Sequence, residues 1–232
     1  MSSPSVLGIS LAQPPLDDQK KVVVTGAHPG DPEAGCGGLI ALLTQAGHRV
    51  VLSYLTRGEA GIEGKSQQEA ATTRTAEAKI SSDMLGASTH YFGQTDGATF
   101  TDNEQYQKMF EFLEAEQPDL LLTHWPMDTH LDHRACAALT YDVWLRLSNP
   151  PALYYYEVTP GGQTQNFVPS DYADISPVVQ LKRRACFAHE SQNMEALYPT
   201  DHEKMEIFRG MESGYAFAEA FARHTRNPTR FV

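Results

Sequence analysis

Two short polar stretches carry most of the side chains in this sequence that could do chemistry. AHPGDPE (Ala27 to Glu33) sets His28, Asp31 and Glu33 in a turn stiffened by two prolines, and THWPMDTHLDH (Thr123 to His133) gathers five His and Asp residues. A zinc site that performs hydrolysis uses three protein ligands, imidazole and carboxylate among them, and leaves a fourth position for water. His28 and Asp31 are close enough for one turn to present both. The third ligand must come from elsewhere, and His130 and His133, three residues apart near a helix start, share one face, so that either could complete the set. A His2Asp set would act as a Lewis acid and lower the pKa of bound water towards about 7, giving a nucleophile at neutral pH. Each cluster alone has an ordinary explanation, as a strand-end histidine or as an acidic first helical turn. Of the remaining histidines, His48, His90, His202 and His224 read as surface residues at element ends, and His124 as structural.

The elements around these stretches explain why they belong together. From Lys21 onward, short β-branched runs alternate with longer amphipathic stretches, the pattern of βαβ units. The expected fold is α/β, a Rossmann-like three-layer α/β/α arrangement with a mainly parallel sheet. Strands are expected at Lys21 to Ala27, Arg49 to Thr56, His90 to Gly93, Asp119 to Trp125 and Ala152 to Val158. Helices are expected at Gly35 to Ala46, Gln67 to Leu85, Glu104 to Glu116 and Leu131 to Leu147, with another after Pro177. The stretch 159 to 175 reads as a loop, and the last helix as Glu203 to about His224, with GYAFAEAFA as its small-residue face. Residues 1–20 read as a flexible N-terminal arm and 21–232 as a single domain. In open α/β sheets ligands bind at the carboxyl ends of the strands, and both polar stretches leave a strand there.

Composition excludes several classes. With 18 Lys+Arg against 29 Asp+Glu, a formal charge of -11, the chain is a poor partner for nucleic acid or an anionic membrane. Cys36, Cys136 and Cys186 are scattered without a CxxC and read as buried free thiols. No apolar run reaches the roughly 18 to 20 residues of a membrane span. A soluble, cytoplasmic protein is the default expectation, and an export signal on a longer precursor would change it. GCGG (Gly35 to Gly38) misses the G-x-G-x-x-G spacing of dinucleotide sites, and no G-x-S-x-G marks a serine hydrolase.

AHPGDPEAGCGG resembles the HPDD-x-E…GG opening motif of the LmbE-like, PIG-L-type (GlcNAc-PI) de-N-acetylases. LTRGEAG, RTAEAKISSDMLGA, DTHLDHRA and the tail from YADISPVVQLKRRACFAHESQ to RGMESGYAFAEAF are similar to family motifs in the same order. The resemblance implies hydrolysis of a linear amide, the N-acetyl group of an N-acetylglucosamine-type conjugate, at a single zinc ion (Zn2+). It implies His28, Asp31 and His133 as metal ligands, His130 as oxyanion stabiliser or general acid, Asp132 as the carboxylate orienting that imidazole, and Arg74 and Asp96 as substrate-binding residues. Assembly into a homo-oligomer is implied as well. One position departs: the first Asp of HPDD, the family's general base, is Gly30. Losing a general base costs about 10²- to 10⁴-fold. Glu33, Asp96 or Asp132 could take over its role, the metal's own activation of water could suffice, or the chain could bind a sugar or metal with little turnover. Zinc hydrolysis of another amide or an ester is a further alternative, since fold does not fix substrate.

Overall fold

A computed structural model describes residues 4–159 and 162–225. A short hairpin, β1 (Ser5–Val6) and β2 (Ile9–Ser10), precedes β3 (Lys21–Gly26), α1 (Asp31–Gln45), β4 (Arg49–Tyr54), α2 (Gln67–Leu85), β5 (Ser88–Tyr91), α3 (Asn103–Glu116) and β6 (Leu120–His124). There follow α4 (Leu131–Trp144), β7 (Ala152–Tyr156), β8 (Asp171–Asp174), α5 (Val179–Phe187), α6 (Met194–Leu197), α7 (His202–Ser213) and β9 (Ala218–Arg223). Seven strands form one sheet in the order β5-β4-β3-β6-β7-β9-β8, parallel through β7 and antiparallel at β9 and β8. The expected α/β architecture is what forms.

Period-two alternation in β3 builds both faces of the sheet. Val22 and Val24 join Leu39, Ile40 and Leu43 of α1 on one side, whereas Val23 meets Met109 of α3 and Leu139 of α4 on the other. Helices α1, α2 and α5 therefore cover one face, and α3 and α4 the opposite one. α2 starts and stops where expected because Ser66 and Glu69 form a capping box, each side chain accepting from the other's backbone N–H. Gly38 is where α1 meets the chain after β8, since a Cβ there would stand 2.3 Å from Ile175 Cγ2. The GG of the opening motif thus serves helix packing. All three cysteines are buried and free, as expected.

The C-terminal region departs from the sequence reading. The helix expected to run to His224 stops at Ser213, and Ala218–Arg223 is instead the strand β9, paired antiparallel with β7 and β8. Its AEAFAR has a period of two rather than 3.6: Phe221 packs on the α1 side, and Ala222 on the other. β8, inside the stretch read as a loop, carries no apolar alternation and owes its pairing to β9. The N-terminal segment read as an arm is docked, with Val6 and Ile9 in the core and the Ser10 carbonyl 2.7 Å from His48 Nε2. His48 is consequently buried, and His90 stacks on Phe112 at 4.2 Å, so neither is the bare surface residue expected. His202 is buried too, and His224 packs among Tyr141, Trp144 and Tyr155.

A buried charge cluster ties this C-terminal region to the rest. Lys182 of α5 contacts Glu206 of α7 at 2.9 Å and Glu219 of β9 at 2.8 Å, and Glu219 also accepts the backbone N–H groups of Gly38 and Leu39. Burial disfavours the ammonium, but the two carboxylates hold its pKa well above the ordinary lysine value. Removing the cation leaves Glu219 with only its backbone N–H partners and Glu206 with only Arg183 as a cation, at 3.9 Å, among the described residues. Lys182→Met should therefore destabilise the fold by about 3 to 5 kcal/mol in urea unfolding, against less than about 1 for the exposed pair partner variant Lys108→Met.

Candidate active site

The sheet order reverses between β3 and β6: the chain moves outward from β3 through β4 to β5, then returns to place β6 on the other side of β3. Loops leaving such neighbours diverge to opposite faces and open a crevice at their carboxyl ends. The loop from Ala27 to Gly30 leaves β3 there and that from Trp125 to His130 leaves β6. They line a cavity of about 540 Å3, which lies within the range of small-molecule sites.

The turn after β3 is set by backbone geometry. Gly30 caps α1 at φ +105°, a left-handed conformation that side-chain-bearing residues rarely adopt, and its N–H donates to Glu33 Oε2 at 3.1 Å. Pro32 sits in the first helical turn, where no N–H is needed. Asp31 is thereby the first helical residue and its Oδ2 accepts from the His28 backbone N–H at 2.7 Å. The same oxygen lies 3.1 Å from His28 Nδ1 and 3.3 Å from His133 Nε2. The far nitrogen of each ring is backed by a carboxylate: His28 Nε2 by Asp132 at 3.0 Å and Asp96 at 3.1 Å, His133 Nδ1 by Asp128 at 3.0 Å. One ring nitrogen towards a shared carboxylate and the other towards a supporting one is how ligating histidines are oriented and kept basic. The donor chemistry of these His and Asp side chains therefore fits a metal ion. Ligand atoms of His28, His130 and His133, and separately of Asp31, His124 and His133, lie within 4.8 Å of one another, so these His and Asp groups could hold a metal ion.

Charges in the metal-free cluster follow. Burial opposes it, but Asp31 and Asp128 push His133 up to about 9. His28 is likewise held well above its ordinary value by Asp31, Asp132 and Asp96 against the effect of burial. Asp31 is held well below its own by His133 and His28, again against burial. Two cationic imidazoles clamped on one anion are the protonated counterpart of a metal site, in which a cation displaces the protons.

His130 behaves differently. Burial and the charges of His28 and His133 push its pKa down. Its Nδ1 accepts the Asp132 backbone N–H at 3.2 Å, so the neutral ring carries its proton on Nε2. The Asp132 carboxylate, expected to orient this imidazole, serves His28 instead and is fixed by the Gly97 N–H and the Thr99 hydroxyl, each at 2.7 Å. Asp128, which the sequence reading left without a role, stands behind both histidines, accepting the His130 N–H at 2.7 Å. Its place two residues before His130, at a helix start, was the available signal. Arg74 and Asp96 line the cavity. Arg74 donates to the Pro29 carbonyl at 2.6 Å, and Asp96 accepts from Ala60 at 3.1 Å. His124 is fully buried and its Nε2 accepts the Ala27 N–H at 2.9 Å, anchoring the residue before His28. His189, which the sequence reading passed over, also lines the cavity, beside Gly30.

This combination defines an α/β protein with a His/Asp metal-type centre in a small-molecule cavity. The chain belongs to the PIG-L (GlcNAc-PI de-N-acetylase) family, whose model matches residues 23–144. It is 30% identical over 88% of its length, and 83% of the relative, to the diacetylchitobiose deacetylase of Thermococcus kodakarensis. The 4-oxalmesaconate hydratase of Pseudomonas putida is 28% identical, over 76% of each chain. Among solved structures, N,N'-diacetylchitobiose deacetylase from Pyrococcus horikoshii superposes with a TM-score of 0.79 at 25% identity, covering 90% of this chain and 85% of that one.

Support of His133 by Asp128 can be tested directly. Asp128→Asn should weaken zinc binding about 10- to 100-fold in competition with a chromophoric chelator. Because a proton on His133 competes with the metal, wild-type affinity should also fall as pH is lowered from about 9. An unchanged affinity in the variant would remove Asp128 from the centre.

Proposed function

We propose that the protein is a zinc-dependent N-deacetylase that removes the acetyl group from an N-acetylglucosamine-type conjugate. The observation that carries this reading is the Asp31 carboxylate between His28 Nδ1 and His133 Nε2, with the neutral His130 beside them. Family membership and the deacetylase relatives support the reaction class. Zinc held by these three residues would supply Lewis acidity and lower the pKa of bound water towards about 7. His130 donates from Nε2 to the oxygen of the acyl group as negative charge develops on it, and a donor already placed there needs no reorganisation. Its depressed pKa makes it a neutral hydrogen-bond donor rather than a standing cation. Arg74 and Asp96, on the cavity wall, are assigned to the substrate's hydroxyl groups.

A hydratase is the second reading, favoured by the 28% identity to 4-oxalmesaconate hydratase and by Gly30 in place of an acidic residue. Hydration of a carbon–carbon double bond and hydrolysis of an amide both begin with an activated water.

Acetate release from a panel of N-acetylglucosamine conjugates, with metal content measured alongside, decides between them. The zinc-loaded protein should release acetate and lose that activity on chelation. His130→Ala should lower kcat by about 10²- to 10³-fold with little change in KM. Zinc-loaded protein that releases no acetate yet hydrates an unsaturated tricarboxylate would replace the first reading with the second.

A further inference from the structure

The cavity carries more negative charge than positive. Around the metal-type centre, the carboxylates of Asp31, Asp96, Asp128 and Asp132 surround the two imidazoles of His28 and His133. A divalent ion that displaces one proton from each ring leaves that balance unchanged, so the carboxylates remain in excess. Arg74 is the one guanidinium or ammonium that lines the cavity among the described residues. Its charge is already met, since the buried side chain donates to the Pro29 carbonyl at 2.6 Å and lies 3.8 Å from Asp96.

The wall formed by the loop after β7, by α6 and by the start of α7 adds no cation to this. Val158, Met194 and Leu197 line it with apolar side chains. His202 is pushed down to about 4 by burial and the charge of Lys182, so its ring is neutral near pH 7. Asp201 is the exception on this wall. Aspartate is a favoured cap because its carboxylate can accept a backbone N–H of the first helical turn, yet Asp201, at the N-terminus of α7, makes no such bond. The half-buried side chain lines the cavity instead, and its carboxylate has no hydrogen-bond or ion-pair partner among the described residues.

An unpaired carboxylate attracts a cation brought against it and repels an anion, and the low-dielectric walls of a cleft strengthen both effects. We propose that the cavity selects conjugates whose group beyond the acetylated sugar carries an amine, and that Asp201 is the residue that receives it. The assignment rests on the deacetylase reading and deepens it. Asp201 takes no part in the hydrolysis and acts on the choice of substrate. A phosphate or carboxylate in the same place would meet Asp201 and the excess carboxylates of the centre, with Arg74 already engaged. A tricarboxylate, the substrate class of the hydratase reading, is disfavoured on the same ground. The formal charge of -11 acts in the same direction at longer range, slowing the approach of anions.

Three glycosides of N-acetylglucosamine that differ in the charge of a short aglycone, propyl, aminoethyl and carboxymethyl, test this. With zinc-loaded wild type at low salt, kcat/KM for acetate release should be highest for the aminoethyl and lowest for the carboxymethyl glycoside. The two should differ by about 5- to 30-fold, mainly through KM, and the gap should shrink at high salt. Asp201→Asn should narrow it by about threefold or more, and Asp201→Lys should reverse the order. Calorimetric titration of the same glycosides into the metal-free protein, where nothing is turned over, should give the same order of affinity. A carboxymethyl glycoside bound as tightly as the aminoethyl one, or a gap that Asp201→Lys leaves as in the wild type, overturns the assignment alone. Zinc-loaded wild type that releases acetate from none of the three overturns the deacetylase reading, and this one with it.

Discussion

Everything in the site turns on one carboxylate oxygen. Asp31 Oδ2 takes the His28 backbone N–H, faces a ring nitrogen of His28 and another of His133, and lies 3.4 Å from His124. Three donors around one oxygen, with the His124 ring beside them, is an arrangement that attractive charge can sustain only while the surrounding groups stay in register. That register comes from the sheet: β3 and β6 are hydrogen-bonded neighbours, paired Val22 to Leu120 through Val24 to Leu122. Their exits are therefore fixed relative to one another. A slip of this ladder by one residue would turn His124 to the other face and separate the two loops.

The supporting carboxylates extend this logic outward. Asp128 and Asp132 sit on either side of His130, and each fixes one of the two flanking imidazoles while reaching His130 only through backbone contacts. His130 is left neutral between two rings held cationic in the metal-free cluster. Neutrality is an advantage for a hydrogen-bond donor near a metal, because a second cation there would repel the ion. Which imidazoles are held charged and which stays neutral thus follows from which residues receive a carboxylate side chain and which receive only a backbone N–H.

How much of this was legible in the sequence depended on periodicity and on distance along the chain. β3, α2 and β6 were readable because β-branched runs and a capping box act locally. The polar stretches after β3 and β6 were readable as a pair because the α/β pattern puts strand ends on one edge. β9 was misread because small apolar residues at every position look like a helix face when the two-residue alternation of Phe and Ala is overlooked. β8 could not be read at all, since its pairing comes from β9 and not from DYAD itself. The place of His189 against the cap of α1 was not legible, since only the tertiary fold brings the chain after α5 there, although the AHESQ stretch that holds it is similar to a family motif.

Gly30 also shows why a motif and a mechanism can separate. A side chain at that position starts from a residue that must sit at φ +105° to cap α1, so restoring an acidic residue would require the turn itself to change. The turn cannot change freely, because Arg74 grips the Pro29 carbonyl and Glu33 grips the Gly30 N–H. Those restraints hold His28 and Asp31 where the metal-type centre needs them. The conformation of the turn is therefore coupled to the placement of His28 and Asp31: a side chain at residue 30 cannot be restored without moving them.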